Sequence, residues 1–207
     1  MDNNITAIVD YGVGNLFSLK SSLNYIGANV KITNSPEELM SAARVILPGV
    51  GAFEDAKKKL ERSGMEAAVL KCAKNGKPLM GICLGMQLLF DESYEYGIHK
   101  GLGLIPGSVV PLKGKISTEL KVPHIGWNAI SYKDDDKLFK YLNSRAYAYY
   151  VHSYYADTAD EFVIAHSYYD IKVTGAVRNG NVCGTQFHPE KSGSQGLLML
   201  KAFCEEV

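Results

Sequence analysis

Cys83 sits between Gly81 and Gly85 in the run Pro78-Leu79-Met80-Gly81-Ile82-Cys83-Leu84-Gly85-Met86-Gln87, where a short apolar segment gives way to a helical pattern. This is the layout of a nucleophile elbow carrying sulfur. A sharp strand-to-helix turn lifts the side chain out of the sheet, and small neighbours spare the strained backbone a clash. At the start of an amphipathic helix, unpaired N–H groups and the helix dipole favour a thiolate, which can attack a carbonyl carbon. A second segment, Cys183-Gly184-Thr185-Gln186-Phe187-His188-Pro189-Glu190-Lys191, holds His188 and Glu190 two residues apart. In an extended chain both point to one side, and Pro189 biases His188 away from helix. Glu190 then orients the imidazole while its other nitrogen faces the thiol. Taken singly, these residues fit bland roles: a buried inert cysteine, or a surface histidine beside an exposed glutamate. Together, Cys83, His188 and Glu190 supply nucleophile, base and orienter for acyl transfer.

The elements that must position them alternate in the first half. Ile5 to Val9, Val30 to Thr33, Arg44 to Leu47 and Pro78 to Ile82 read as strands. Asn15 to Ile26 carries a helical stripe of Leu16, Leu19, Leu23 and Ile26. Ser35-Pro36-Glu37-Glu38 starts a second helix, and further helical patterns lie near Glu54–Glu61 and Met65–Lys74. This order predicts an α/β fold with a mostly parallel central sheet and helices on both faces, its functional loops at the carboxyl ends of the strands. From about Leu104 the pattern changes to strands joined by turns: Val109–Leu112, Ala129–Tyr132, Tyr147–Ser153, Phe162–Ser167, Gly175–Arg178 and Val182–Gln186. Asn179-Gly180 is a hairpin turn, and Gly196 to Glu205 a closing helix. The second half reads as an antiparallel extension of a single domain over residues 1–207, because the proposed triad spans both halves.

Composition excludes several classes. The 207 residues carry 22 basic and 22 acidic side chains, so no bulk charge draws the chain to nucleic acid or anionic membrane. Lys57-Lys58-Lys59, with Glu54 and Glu61 nearby, reads as a solvated helix face. The cysteines at 72, 83, 183 and 204 form no CxxC pair, which argues against zinc or a redox couple. No apolar run approaches the roughly 20 residues of a membrane span. Met1-Asp2-Asn3-Asn4 leads directly into a strand without a signal segment, so the expected location is cytoplasmic.

Three further segments bear on a site. Gly12-Val13-Gly14-Asn15 has Phe17 where a dinucleotide loop needs its third glycine, and Thr33-Asn34 stand where an acid would hold a ribose; a nicotinamide site is rejected. Pro48-Gly49-Val50-Gly51 is either a plain turn or half of an oxyanion hole completed by the N–H of Leu84. Gln87, one turn after Cys83, either holds a polar substrate or is an exposed helix glutamine.

With these residues in view, the chain resembles the class I (triad) glutamine amidotransferases. The finer similarity is to the glutaminase subunits of imidazole glycerol phosphate synthases. It rests on the two triad segments and on Asp10 to Asn15, Pro48 to Phe53, Gly101 to Gly107, Pro123 to Asn128, Val151 to Tyr154 and Gln186 to Ser192. The resemblance implies a flavodoxin-like fold that hydrolyses glutamine to glutamate and ammonia through a Cys83 thioester. His188 would protonate the leaving ammonia and later activate water. It implies glutamine held by Gly51, Gln87, Glu95, His152, Ser153 and Tyr154, with oxyanion N–H groups from Val50 and Leu84. It requires no metal or cofactor. The implied partner is a (β/α)₈-barrel cyclase subunit, bound as a heterodimer through Asn15, Trp127, Tyr149 and Lys191, which consumes the ammonia in histidine biosynthesis. The bland alternative for Trp127 is core packing. In this family, nucleotide at the cyclase is thought to reorient the Pro48–Gly51 backbone and so form the oxyanion hole. Lys58, where relatives often carry methionine, and the variable Tyr168-Tyr169-Asp170 are the departures. Two rival readings are a paralogous subunit feeding another synthase, as in surface-sugar biosynthesis, and a cysteine peptidase of the same fold.

Overall fold

The computed structural model describes residues 4–143 and 145–207. The reading of Met1-Asp2-Asn3 as a start without a signal segment lies outside the described residues. The first half alternates as β1 (Thr6–Val9), α1 (Leu16–Tyr25), β2 (Val30–Thr33), α2 (Pro36–Ser41), β3 (Arg44–Gly49), α3 (Phe53–Arg62), α4 (Met65–Lys74) and β4 (Leu79–Cys83). After the short α5 (Leu84–Leu88) come β5 (Phe90–Ser93), β6 (His99–Lys100), β7 (Ile105–Pro111), β8 (His124–Tyr132), β9 (Ala146–His152), β10 (Tyr154–Asp157), β11 (Val163–Tyr169), β12 (Ile171–Asn179) and β13 (Val182–Thr185), then α6 (Gly193–Glu206).

The main sheet has nine strands in the order β2-β1-β3-β4-β13-β12-β11-β8-β9. From β2 to β13 neighbours are parallel; beyond β13 they are antiparallel. Alternate residues of the parallel strands feed two cores. Ala7, Val9, Val45, Leu47 and Leu79 face α2, α3 and α4. Ile8, Ile46, Met80 and Ile82 face α1 and α6, which contribute Leu19, Leu23, Met199 and Phe203. Helices therefore cover both faces, as a parallel sheet with two buried sides requires. The predicted start of α2 holds: Ser35 Oγ accepts the Glu38 N–H at 3.3 Å, and Pro36 opens the helix.

The sequence reading missed a second sheet, of four strands in the order β10-β7-β5-β6. It placed β7 in the antiparallel extension and saw no strand at β5, β6 or β10. The physical reason is local. β9 and β10 are separated by Ser153 alone yet belong to different sheets, so a continuous tyrosine-rich run hides a change of partner. Lys57 likewise leaves the predicted solvated face, reaching Glu66 of α4 at 2.7 Å in a half-buried pair. Among the described residues, no helix is long and apolar enough to cross a membrane.

Candidate active site

Cys83 ends β4 and caps α5 with φ at 54°, a left-handed backbone rarely taken by a residue with a Cβ. Glycine makes the turn possible. A Cβ on Gly85 would stand 1.9 Å from the Leu47 carbonyl oxygen, and one on Gly81 2.6 Å from that of Gly85. Gly49, the register partner of Cys83 on β3, has the Gly85 nitrogen 2.6 Å from where its Cβ would be. The expected amphipathic helix after Cys83 is instead five residues long and entirely buried. Its short dipole is a weaker influence on the sulfur than the groups that touch it.

β13 pairs in parallel with β4, Thr185 opposite Ile82, and so delivers the next residues beside Cys83. The extended course expected through His188 and Glu190 is not what forms. Pro189–Lys191 makes a 3₁₀ turn, because a proline with fixed φ is well suited to the first position of a helical turn. The turn still brings Glu190 Oε1 to 2.8 Å from His188 Nδ1, with both side chains almost wholly buried. The backbone is pinned as well. The His188 N–H donates to Tyr149 O at 2.9 Å, and Ser192 Oγ donates to His188 O at 2.6 Å while accepting the Tyr149 N–H at 3.0 Å. Burial pulls the His188 pKa down, but hydrogen bonds to the Cys83 sulfur and the Glu190 carboxylate, with their charges, outweigh it and raise it to about 9. The raised pKa favours the protonated imidazole, which lies between the sulfur and the carboxylate, an arrangement suited to a reactive thiolate.

Cys83 and His188 open on a cleft of about 400 Å³. Every residue expected to hold glutamine lines it: Gly51, Gln87, Glu95, His152, Ser153 and Tyr154, and so do Val50 and Leu84. Glu190 stands behind His188, outside the lining. Gln87 is buried rather than an exposed helix residue, and its Nε2 donates to Tyr154 O and to Gln186 Oε1, each at 3.0 Å. Glu95 Oε2 accepts the Phe53 N–H at 2.5 Å, capping α3 and tying the β5–β6 loop to the segment after Gly51. His152 Nδ1 lies 2.9 Å from Tyr154 O, and its Nε2 lies 3.1 Å from Nδ1 of His124, its register partner on β8. Burial dominates both rings and lowers their pKa to about 3 for His152 and about 4 for His124. His152 is therefore a neutral wall of the cleft. The Pro48–Gly51 turn is held at its first carbonyl by the buried Tyr11 hydroxyl, which donates to Pro48 O at 2.8 Å.

The four residues expected at a partner surface divide. Lys191 reaches the cleft, and its Nζ stands 5.9 Å from the Tyr149 ring centre. Tyr149 packs edge-on to Trp127, with ring centres 6.2 Å apart. Trp127 is 57% exposed, which rules out core packing. Asn15 is exposed apart from this cluster, its Oδ1 accepting the Ser18 N–H to cap α1. Sequence reasoning gave no role to Tyr11, His124, Gln186 or Ser192. All four lie in quoted motifs, but each has a partner distant in the chain that no local spacing reveals.

The model of the family "Glutamine amidotransferase class-I" matches residues 7–207. Imidazole glycerol phosphate synthase subunit HisH of Listeria monocytogenes serotype 4a is 48% identical over 198 residues, covering 96% of this chain and 94% of the relative. The chain belongs to the class I glutamine amidotransferases, in the HisH family. The HisH relative from Wolinella succinogenes is 47% identical and covers 97% of this chain and 99% of its own. That from Methanosarcina acetivorans is 48% identical with 96% of each covered. Solved amidotransferase structures share the fold at far lower identity. PurLQS from Thermotoga maritima superposes with a TM-score of 0.75 at 20% identity over 96% of each chain. The glutaminase domain of Trypanosoma brucei CTPS with bound acivicin does so with 0.68 at 17%, over 97% of this chain and 93% of that one.

Proposed function

We propose that this amidotransferase is the glutaminase subunit of an imidazole glycerol phosphate synthase, hydrolysing glutamine and passing the ammonia to a synthase partner in histidine biosynthesis. The observation that carries the reading is the buried Glu190–His188 pair set against Cys83 at the base of the cleft. In this reading the Cys83 thiolate attacks the side-chain amide carbon of glutamine. The oxyanion is met by the N–H groups of Leu84 and Val50. The His188 imidazolium gives its proton to the departing nitrogen, so ammonia leaves and a glutamyl thioester remains. Neutral His188 then takes a proton from water, hydroxide adds to the thioester, and glutamate departs with the thiolate restored. Glu190 holds the ring and its charge throughout. Glu95, one oxygen on Phe53, offers the other to the substrate ammonium, and Gln87, with its N–H groups committed, offers its carbonyl.

Free ammonia is largely protonated in water and useless as a nucleophile, so its consumer must dock over the cleft. The partner in this reading is a (β/α)₈-barrel cyclase subunit, forming a heterodimer. On β8, Ile125 and Trp127 are 58% and 57% exposed on the face they share with Val151 and Tyr149, and Val151 itself lines the cleft. An apolar face continuous with a site mouth suits such a partner. The protein would act in the cytoplasm, with its four cysteines reduced. The test is glutamate release by the purified chain alone, with the cyclase subunit, and with its nucleotide. The reading expects little release alone, a large rise with barrel and nucleotide together, and loss of all release in Cys83→Ala. Release indifferent to the barrel points to another synthase, and release surviving Cys83→Ala overturns the chemistry.

A further inference from the structure

The Cys83 sulfur meets polar groups besides His188: Val151 O at 4.0 Å and the side chain of Gln186. Gln186 is fully buried, and its Nε2 lies 3.8 Å from Cys83 Sγ. Its Oε1 accepts from Gln87 Nε2 at 3.0 Å, and the same Gln87 nitrogen donates to Tyr154 O at 3.0 Å. A backbone carbonyl can only accept. Gln87 must therefore turn its nitrogen to Tyr154, and both protons of that nitrogen are spent, one on Tyr154 and one on Gln186. Gln186 must then accept on that side and present its N–H groups on the other, to the sulfur. The main chain of Gln186 is also fixed, its N–H donating to Gly175 O at 2.8 Å. One backbone carbonyl thus sets the polarity of two carboxamides in series.

We propose that Gln186 is a thiolate-stabilising residue, donating an amide N–H to the Cys83 sulfur in addition to His188, with Gln87 locking its orientation. The inference rests on Cys83 being the nucleophile. A neutral thiol is a weak acceptor, whereas an N–H bond to an anion is charge-assisted and strengthened by a water-poor surrounding. The bond therefore favours the ionised sulfur over the thiol. A glutamine that merely filled the core would give no such bias. The titratable groups about the sulfur are His188, with Glu190 behind it, and Tyr11; Glu95 and His152 line the same cleft.

The test is the pH dependence of Cys83 alkylation by iodoacetamide in the purified chain, with Cys83→Ser as background for the other three cysteines. In Gln186→Met, of similar length but without a donor, the midpoint of the curve is expected to rise by about one pH unit, a tenfold loss of reactive sulfur below the midpoint. An unchanged midpoint in a folded Gln186→Met overturns the proposal. A measurement on the unaltered protein covers the case of a variant that does not fold. The side-chain amide resonances of Gln186, observed by nitrogen-15 NMR, should move with the Cys83 titration, and their indifference to it overturns the proposal equally. The parent reading fails on a separate result, glutaminase activity that survives Cys83→Ala.

Discussion

Glu190 reaches His188 across a single proline, its Oε1 2.8 Å from Nδ1, while its Oε2 is buried with no hydrogen-bond partner among the described residues. The carboxylate is thus committed to one contact, and the imidazolium is the charge that stabilises it. Glu190→Gln keeps the shape and removes the charge. Glutamine hydrolysis in the complex should fall by up to roughly 10⁴, the loss that follows when a triad orienter is turned into its amide. Synthesis from added ammonia should persist, since that chemistry belongs to the partner. Parallel assays with glutamine and with ammonium chloride give the comparison.

The His124–His152 pair predicts loss of stability in mild acid. Both folded values, about 4 and about 3, lie below the ordinary 6.5, so the unfolded chain takes up protons first as pH falls. Stability should drop by about 2 kcal/mol between pH 6 and pH 5 from these two groups. His188 has the opposite sign. Its folded value near 9 lies above 6.5, so its contribution is complete below 6.5 and fades as pH rises through 9. Urea unfolding at pH 6 and 5 should show the drop, and replacing both histidines with asparagine should flatten it.

Two glycines of the site should fail in different ways. A Cβ at Gly85 overlaps the Leu47 carbonyl, a backbone atom that cannot move aside, so Gly85→Ala should destabilise by about 3 kcal/mol or prevent folding. Gly51 has open space around it but φ at +94°, so Gly51→Ala should cost about 1–2 kcal/mol and fold. Its effect should appear in glutaminase rate, because the strain falls beside Val50. Thermal melts of the two variants, followed by activity of the soluble one, separate these outcomes.

Trp127→Ala removes a half-exposed ring that makes one edge-on aromatic contact, with Tyr149. Stability of the isolated chain should change by no more than about 0.5 kcal/mol. Affinity for the cyclase subunit should weaken by about 2 kcal/mol, near thirtyfold. Calorimetric titration measures the second, and a finding of equal affinity would remove Trp127 from the interface.

The sequence by itself determined the alternating first half, the cap of α2, and the positions of Cys83, His188 and Glu190. Those features follow from period, proline, glycine and cap chemistry, which act within a few residues. It also marked Gln87 by its spacing from Cys83, and Gly51 and Glu95 as neighbours of the cleft through motif resemblance. Only the tertiary structure decided what depends on distant chain segments meeting. The change of sheet at Ser153 depends on which strand is nearest, a choice no local pattern encodes. So does the exposure of Trp127, since alternation on β8 names two faces without saying which is covered. The clearest case is Gln186, quoted within a motif yet silent there. Its partners lie 99 residues away at Gln87 and 103 away at Cys83, and only the parallel pairing of β13 with β4 brings those polar groups together.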